Sequence, residues 1–209
     1  AVLFLATTGL TAMSQDFDRA RLDSYFDALD KNHKFMGSVA VFQNGETLYT
    51  RSVGYADVAK NLPADANSRY RIGSISKTFT TVLVMKAAEA GKLRLDETLE
   101  NYFPGLPEAG KITVEQLLYH RSGIHSFTDD EDYTTWCTEP KTRQQLLEII
   151  EKGGREFPHD SMAAYSNSNF VLLSILLEKV YGKPWEKLLK KQITRPAGLK
   201  HTSAGGKIE

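Results

Sequence analysis

Ser74 and Lys77 carry the clearest chemical signal in this chain. They stand three residues apart in Arg71-Ile72-Gly73-Ser74-Ile75-Ser76-Lys77-Thr78-Phe79-Thr80. A serine hydroxyl is a weak nucleophile until a neighbour takes its proton. On a helix, residues three apart share a face. Burial disfavours a charged ammonium, so a lysine in an apolar pocket can help with proton transfer. In the first helical turn the backbone N–H groups lack intrahelical partners, and the Ser74 N–H is aimed where an oxyanion would develop. One turn could therefore supply a nucleophile, its activating partner and half an oxyanion hole. The competing reading makes Ser74 a helix N-cap and Lys77 a solvated charge, since Ser-x-x-Lys alone is a common pattern.

Tyr165-Ser166-Asn167 is the second chemical element. A phenol beside a cationic lysine ionises more readily and can act as a base. An asparagine amide offers both a donor and an acceptor to a substrate amide. The alternative is a half-buried aromatic at Tyr165 and capping residues over 166–169.

Elements that would position these residues follow from periodicity. Phe79, Val82, Leu83, Met85, Ala87 and Ala88, stopped by Gly91, suit a helix buried on most of its surface. Phe170, Val171, Leu172, Leu173, Ile175, Leu176, Leu177 and Val180, stopped by Gly182, suit a central helix that is apolar almost all round. Residues 16–29 read as an amphipathic helix. Residues 38–43 and 46–53, joined by Asn44-Gly45, read as a hairpin, because Asn-Gly between β-prone runs is the strongest short hairpin signal. Residues 54–65 read as a connecting segment. Short helices are expected near 95–103 and over 113–118, then over 143–151 and 185–193, the last with Pro184 in its first turn.

Composition excludes several classes. The 209 residues are 41% hydrophobic, with 26 basic and 26 acidic side chains and no net charge. That balance gives no surface for nucleic acid. A single cysteine, Cys137, excludes an intramolecular disulfide and reads as a small, partly buried side chain beside Trp136. His120 and His125 lie five apart without a third ligand and read as loop histidines. Asp129 to Asp132 read as a solvated acidic face, so no metal and no cofactor are expected. Residues 1–14 carry no charge, and Thr11-Ala12-Met13-Ser14 ends small-x-small. They read as the rear of a secretory leader cleaved after Ser14, too short to span a membrane, which points to a periplasmic or secreted protein. The expected partner is a small-molecule or peptide substrate, with no integral membrane segment and the oligomeric state left open.

Four motifs come in one order and spacing: Gly73-Ser74-Ile75-Ser76-Lys77, Leu117-Leu118-Tyr119-His120-Arg121-Ser122-Gly123-Ile124, Tyr165-Ser166-Asn167, and Arg195-Pro196-Ala197-Gly198-Leu199. Over residues 16–205 the chain resembles the penicillin-recognising serine hydrolases, in particular the branch of class C β-lactamases, D-Ala-D-Ala carboxypeptidases, D-aminopeptidases and esterases. The resemblance implies an α+β fold of the β-lactamase/transpeptidase type, an antiparallel sheet flanked by helices with an inserted all-helical lobe. Residues 15–80 would begin the α/β lobe and 81–209 would form the helical lobe. The resemblance makes Ser74 the acylated nucleophile, Lys77 its activating partner, Tyr165 the base and Asn167 a contact to the substrate amide. The implied substrates are β-lactams, D-Ala-D-Ala-like peptides or small esters. The alternative is a penicillin-binding sensor or inactive binding module. The family's later Lys-Thr-Gly motif has no counterpart in Gly205-Gly206-Lys207. The chain therefore reads as truncated within the helical lobe, and weak or no turnover is expected of these 209 residues. No Gly-x-Ser-x-Gly occurs, which argues against an α/β-hydrolase.

Overall fold

The computed structural model describes residues 17–206, so the leader-like residues 1–14 and Lys207 lie outside the described residues. The chain divides into two units, one ending at Tyr70 and the other beginning at Arg71. The Ser74 turn belongs to the second unit, with the helical stretch that follows it.

In the first unit, α1 (Arg19–Lys31) starts at Asp18, whose carboxylate accepts the Arg21 N–H at 2.9 Å. The expected hairpin forms as β1 (Gly37–Gln43) against β2 (Glu46–Val53), antiparallel, with Val39 opposite Arg51 and Val41 opposite Tyr49. Asn44 and Gly45 both adopt positive φ, which the tight turn requires. Phe26 of α1 packs with Tyr49 and Val53 of β2 in a small core. The Tyr49 hydroxyl donates to Asp23 at 2.8 Å and ties the two elements together. Residues 54–65 are more ordered than a connecting segment, for β3 (Tyr55–Asp57) pairs with β4 (Leu62–Pro63). Two- and three-residue strands are too short to show alternation in sequence.

The second unit is helical. Its centre is α6 (Asn167–Tyr181), with Leu172, Leu173, Leu176 and Leu177 fully buried. Around it pack α2 (Ser76–Glu89), α3 (Val114–Leu118), α5 (Arg143–Gly153) and α7 (Trp185–Leu189); α4 (Tyr133–Trp136) is a single turn. Capping boxes explain two of the helix starts: Thr113 with Gln116 opens α3, and Thr142 with Gln145 opens α5. Arg143 clasps Glu178 with two hydrogen bonds of 2.9 and 3.0 Å, joining α5 to α6.

Two expectations are corrected. Helix α2 buries one side only: Leu83, Val84 and Ala87 are inaccessible, while Val82 and Met85 are 45% and 48% exposed. At about 100° per residue, Val82 and Met85 project away from the Leu83–Ala87 side. Cys137 is exposed rather than partly buried, because α4 ends on the surface with only a long S–H contact to the Thr134 carbonyl. Among the described residues no helix is long and apolar enough to cross a membrane.

Candidate active site

Ser74 sits in a 3-10 turn, Gly73–Ile75, that runs directly into α2. Gly73 has φ +52 and turns the chain into the helix. Neither helix start is capped by a side chain, so Ser74 is not an N-cap. Its Oγ lies 2.7 Å from the Tyr165 hydroxyl and accepts from Lys77 Nζ at 3.1 Å. Lys77 Nζ also donates to Asn167 Oδ1 at 2.7 Å and lies over the rings of Tyr165 and Phe170, at 4.8 and 5.6 Å from their centroids. The four residues singled out from sequence are thus brought into one hydrogen-bonded group.

Electrostatics favour an ionisable phenol here. Burial alone would raise Tyr165, but the Lys77 ammonium and the Ser74 hydroxyl outweigh it and hold the phenol below its usual value. A Tyr165 that ionises more easily can take the proton of Ser74 across the 2.7 Å contact.

Asn167 is oriented by residues that sequence reasoning did not single out. Its Nδ2 donates to Thr128 Oγ1 at 2.7 Å, which turns Oδ1 toward Lys77. Its backbone N–H is capped at 3.1 Å by Ser126 Oγ, a loop residue forty-one positions earlier. Hence Ser166, the residue at the N-cap position of α6, makes no capping bond. Ser168 Oγ donates to the His125 carbonyl at 2.6 Å and accepts the Phe127 N–H at 3.2 Å. Segment 125–128 is therefore laced to the first turn of α6. No local pattern announces Ser126 or Thr128, because their partners are far away in sequence.

His125 anchors the other side of that segment. Its Nδ1 is 2.6 Å from Glu156 and its Nε2 2.8 Å from Asp130, so Asp130 of the acidic run is an ion-pair partner rather than a solvated charge. Burial alone would lower the imidazole, but Glu156 and then Asp130 outweigh it and raise it above its usual value. A raised folded-state value means stability that is fully present below the unfolded value near 6.5 and is lost as pH rises through the folded value. Wild type is therefore expected to exceed His125→Gln by about 1 kcal/mol near pH 6, given the partly exposed carboxylates. That margin shrinks toward pH 9. Urea midpoints of both proteins across this range check it, and a margin that grows with pH would contradict the ion-pair assignment.

Among the described residues, no group of three or more His, Cys, Asp or Glu side chains could hold a metal ion.

Similarity to known proteins shows the family. The sequence model of the beta-lactamase family matches residues 22–208. The chain is 30% identical over 192 residues to penicillin-binding protein 4* of Bacillus subtilis (strain 168), covering 88% of this chain and 41% of that protein. It is 26% identical over 190 residues to the teichoic acid D-alanine hydrolase of Staphylococcus aureus, covering 91% and 45%. Its structure superposes on the octameric penicillin-binding protein homologue from Pyrococcus abyssi with a TM-score of 0.76 at 30% identity, covering 88% of this chain and 44% of that one. The chain spans less than half the length of these relatives. The fold is accordingly of the β-lactamase/transpeptidase type. With nearly its whole length matched and a Ser-Lys-Tyr-Asn group assembled in one unit, this chain belongs to the beta-lactamase family.

Proposed function

We propose that this chain carries the acylation machinery of a serine hydrolase acting on D-alanyl amides or esters, penicillins included, through a covalent acyl-enzyme. One observation carries the reading: Ser74 Oγ sits 2.7 Å from the Tyr165 hydroxyl and 3.1 Å from Lys77 Nζ. Ser74 Oγ attacks the carbonyl as the Tyr165 phenolate takes its proton. The leaving amine or alkoxide departs with that proton. Water then attacks the Ser74 ester, again giving a proton to Tyr165, and Ser74 Oγ leaves reprotonated. Lys77 supplies the positive charge that keeps the phenol ionisable, and the Ser74 N–H faces the developing oxyanion. Asn167 uses one Nδ2 hydrogen on Thr128. The amide has two, and the second is available to a substrate carbonyl. The scheme calls for no cofactor.

The relatives' activities support the substrate class, since one is a penicillin-binding protein and another a D-alanine hydrolase. The leader-like residues 1–14, together with a relative that acts on teichoic acid, support a periplasmic or secreted location.

Intact mass after exposure to a penicillin and to a D-alanyl ester tests the proposal, with Ser74→Ala as control. One acyl adduct absent from Ser74→Ala is the expected result. An adduct stable for hours would instead favour a penicillin-binding sensor. A folded protein with neither adduct nor ester turnover would overturn the reading.

A further inference from the structure

Tyr165 has to hold its hydroxyl against Ser74, yet nothing in its own segment fixes it. It is 53% exposed and lies in a stretch, 159–166, with neither helix nor strand. What fixes it is His120. The Ala164 N–H donates to the His120 carbonyl at 2.9 Å. The Ser166 N–H donates to His120 Nδ1 at 3.1 Å. The His120 ring lies on the Tyr165 ring, with centroids 4.7 Å apart and planes at 33°. One residue thus grips both chain neighbours of Tyr165 and the tyrosine itself. The next residue extends the clamp, for the Asp160 N–H donates to the Arg121 carbonyl at 2.7 Å. Phe170, on the first turn of α6, backs the imidazole at 5.3 Å.

The backbone at His120 is costly for what local structure alone requires. Helix α3 ends with the Arg121 N–H bonded to the Gln116 carbonyl at 2.8 Å and the His120 N–H to the Leu117 carbonyl at 3.3 Å. These are the two bonds of a Schellman end, whose left-handed residue is usually glycine. Here it is His120, with φ +57. Glycine would satisfy the turn without strain, so a side chain held in a left-handed conformation points to a role for that side chain.

We propose that His120 is the positioning residue for Tyr165, acting as a neutral imidazole whose bare Nδ1 accepts the Ser166 N–H. The proposal rests on the reading of Tyr165 as the proton acceptor of acylation. An Nδ1 that accepts a hydrogen bond carries no proton, so the tautomer is Nε2–H. Burial, and then the charge of Lys77, hold the imidazole below its ordinary value and keep it neutral around pH 7. The titratable groups facing it are Lys77 from α2 and Tyr165 from the loop; Phe170 of α6 is uncharged. A protonated His120 would set N–H against N–H at Ser166 and add a second cation beside Lys77.

The test compares His120→Gly and His120→Asn with wild type. Glycine removes the ring and relieves the backbone. Asparagine tolerates the left-handed conformation and offers Oδ1 to the Ser166 N–H. The phenol of Tyr165 is titrated spectroscopically in each background, as the difference from the matching Tyr165→Phe protein, which needs no substrate. Acylation by a penicillin is followed against pH in parallel. In His120→Gly the Tyr165 titration is expected to move up toward its usual value near 10. The rising limb of the acylation rate should follow it, with about a hundredfold loss at neutral pH. His120→Asn should recover most of both. An unmoved Tyr165 titration in folded His120→Gly, or an asparagine variant no better than glycine, would overturn the proposal. If wild type is never acylated at Ser74 while the titration still moves, His120 positions Tyr165 and it is the proposed function that fails.

Discussion

In the protein that carries this chain, Ser74→Ala is expected to lower kcat for a D-alanyl ester by about a millionfold. The substitution deletes the attacking atom and little else. Ser74 is exposed, Lys77 keeps its bond to Asn167, and Tyr165 keeps its contact with His120. Stability should therefore stay within about 0.5 kcal/mol of wild type, as for surface substitutions generally. Tyr165→Phe should cost slightly less, because water can still accept the proton at some rate. The informative variant is the double one. If Ser74 and Tyr165 act as one unit across their 2.7 Å contact, the double variant falls no further than Ser74→Ala alone. Losses that multiply would mean that the two hydroxyls serve separate steps. A Ser74→Ala protein retaining more than about a thousandth of wild-type kcat would remove Ser74 from the nucleophile's role. Steady-state rates of the two single variants and the double variant decide among these outcomes.

The candidate site's membership was legible in sequence because its residues are locally encoded. Ser74 and Lys77 share a helix face at a spacing of three, and Tyr165 and Asn167 flank one residue at the start of the most apolar helix. The β1–β2 hairpin was legible for the same reason, since Asn44-Gly45 states its turn and alternation states its strands. What was illegible depends on partners remote in sequence. Ser126 and Thr128 read as loop hydroxyls until α6 meets them some forty residues later. His120 reads in sequence as a loop histidine inside a motif, although its φ of +57 and its hold on residues 164–166 give it a specific place in the structure. The exposure of Val82 and Met85 was likewise hidden, because a period of apolar residues does not say which side another helix covers. Sequence thus named the candidate reacting groups, and the structure supplied the residues that hold them.

The supporting frame makes its own large prediction, at Gly123. This residue has φ +75, and its carbonyl accepts the Glu156 N–H at 2.9 Å, beside the bridge between Ile124 and Arg155. A methyl group added there would run into the backbone carbonyl oxygen of Phe157, with the carbonyl carbon 3.1 Å away. No rotamer change relieves a clash with backbone, so the bridged segments 122–125 and 154–157 must part. Gly182, at the end of α6, is the matched control: its φ is +61, and a methyl there meets nothing within 4 Å. Gly182→Ala should cost only the left-handed penalty, about 1–2 kcal/mol. Gly123→Ala should cost that and the clash together, about 3–5 kcal/mol, among the larger single-residue effects. The damage should reach the active site as well. Residues 125–128 lead straight from the parted bridge to Asn167, so the variant should lose acylation even at temperatures where it remains folded. Urea midpoints of both variants, with penicillin acylation measured below the transition, test this. Equal stability losses at Gly123 and Gly182 would show that the Phe157 carbonyl can yield and that the 122–157 contact does not hold the Asn167 side of the site.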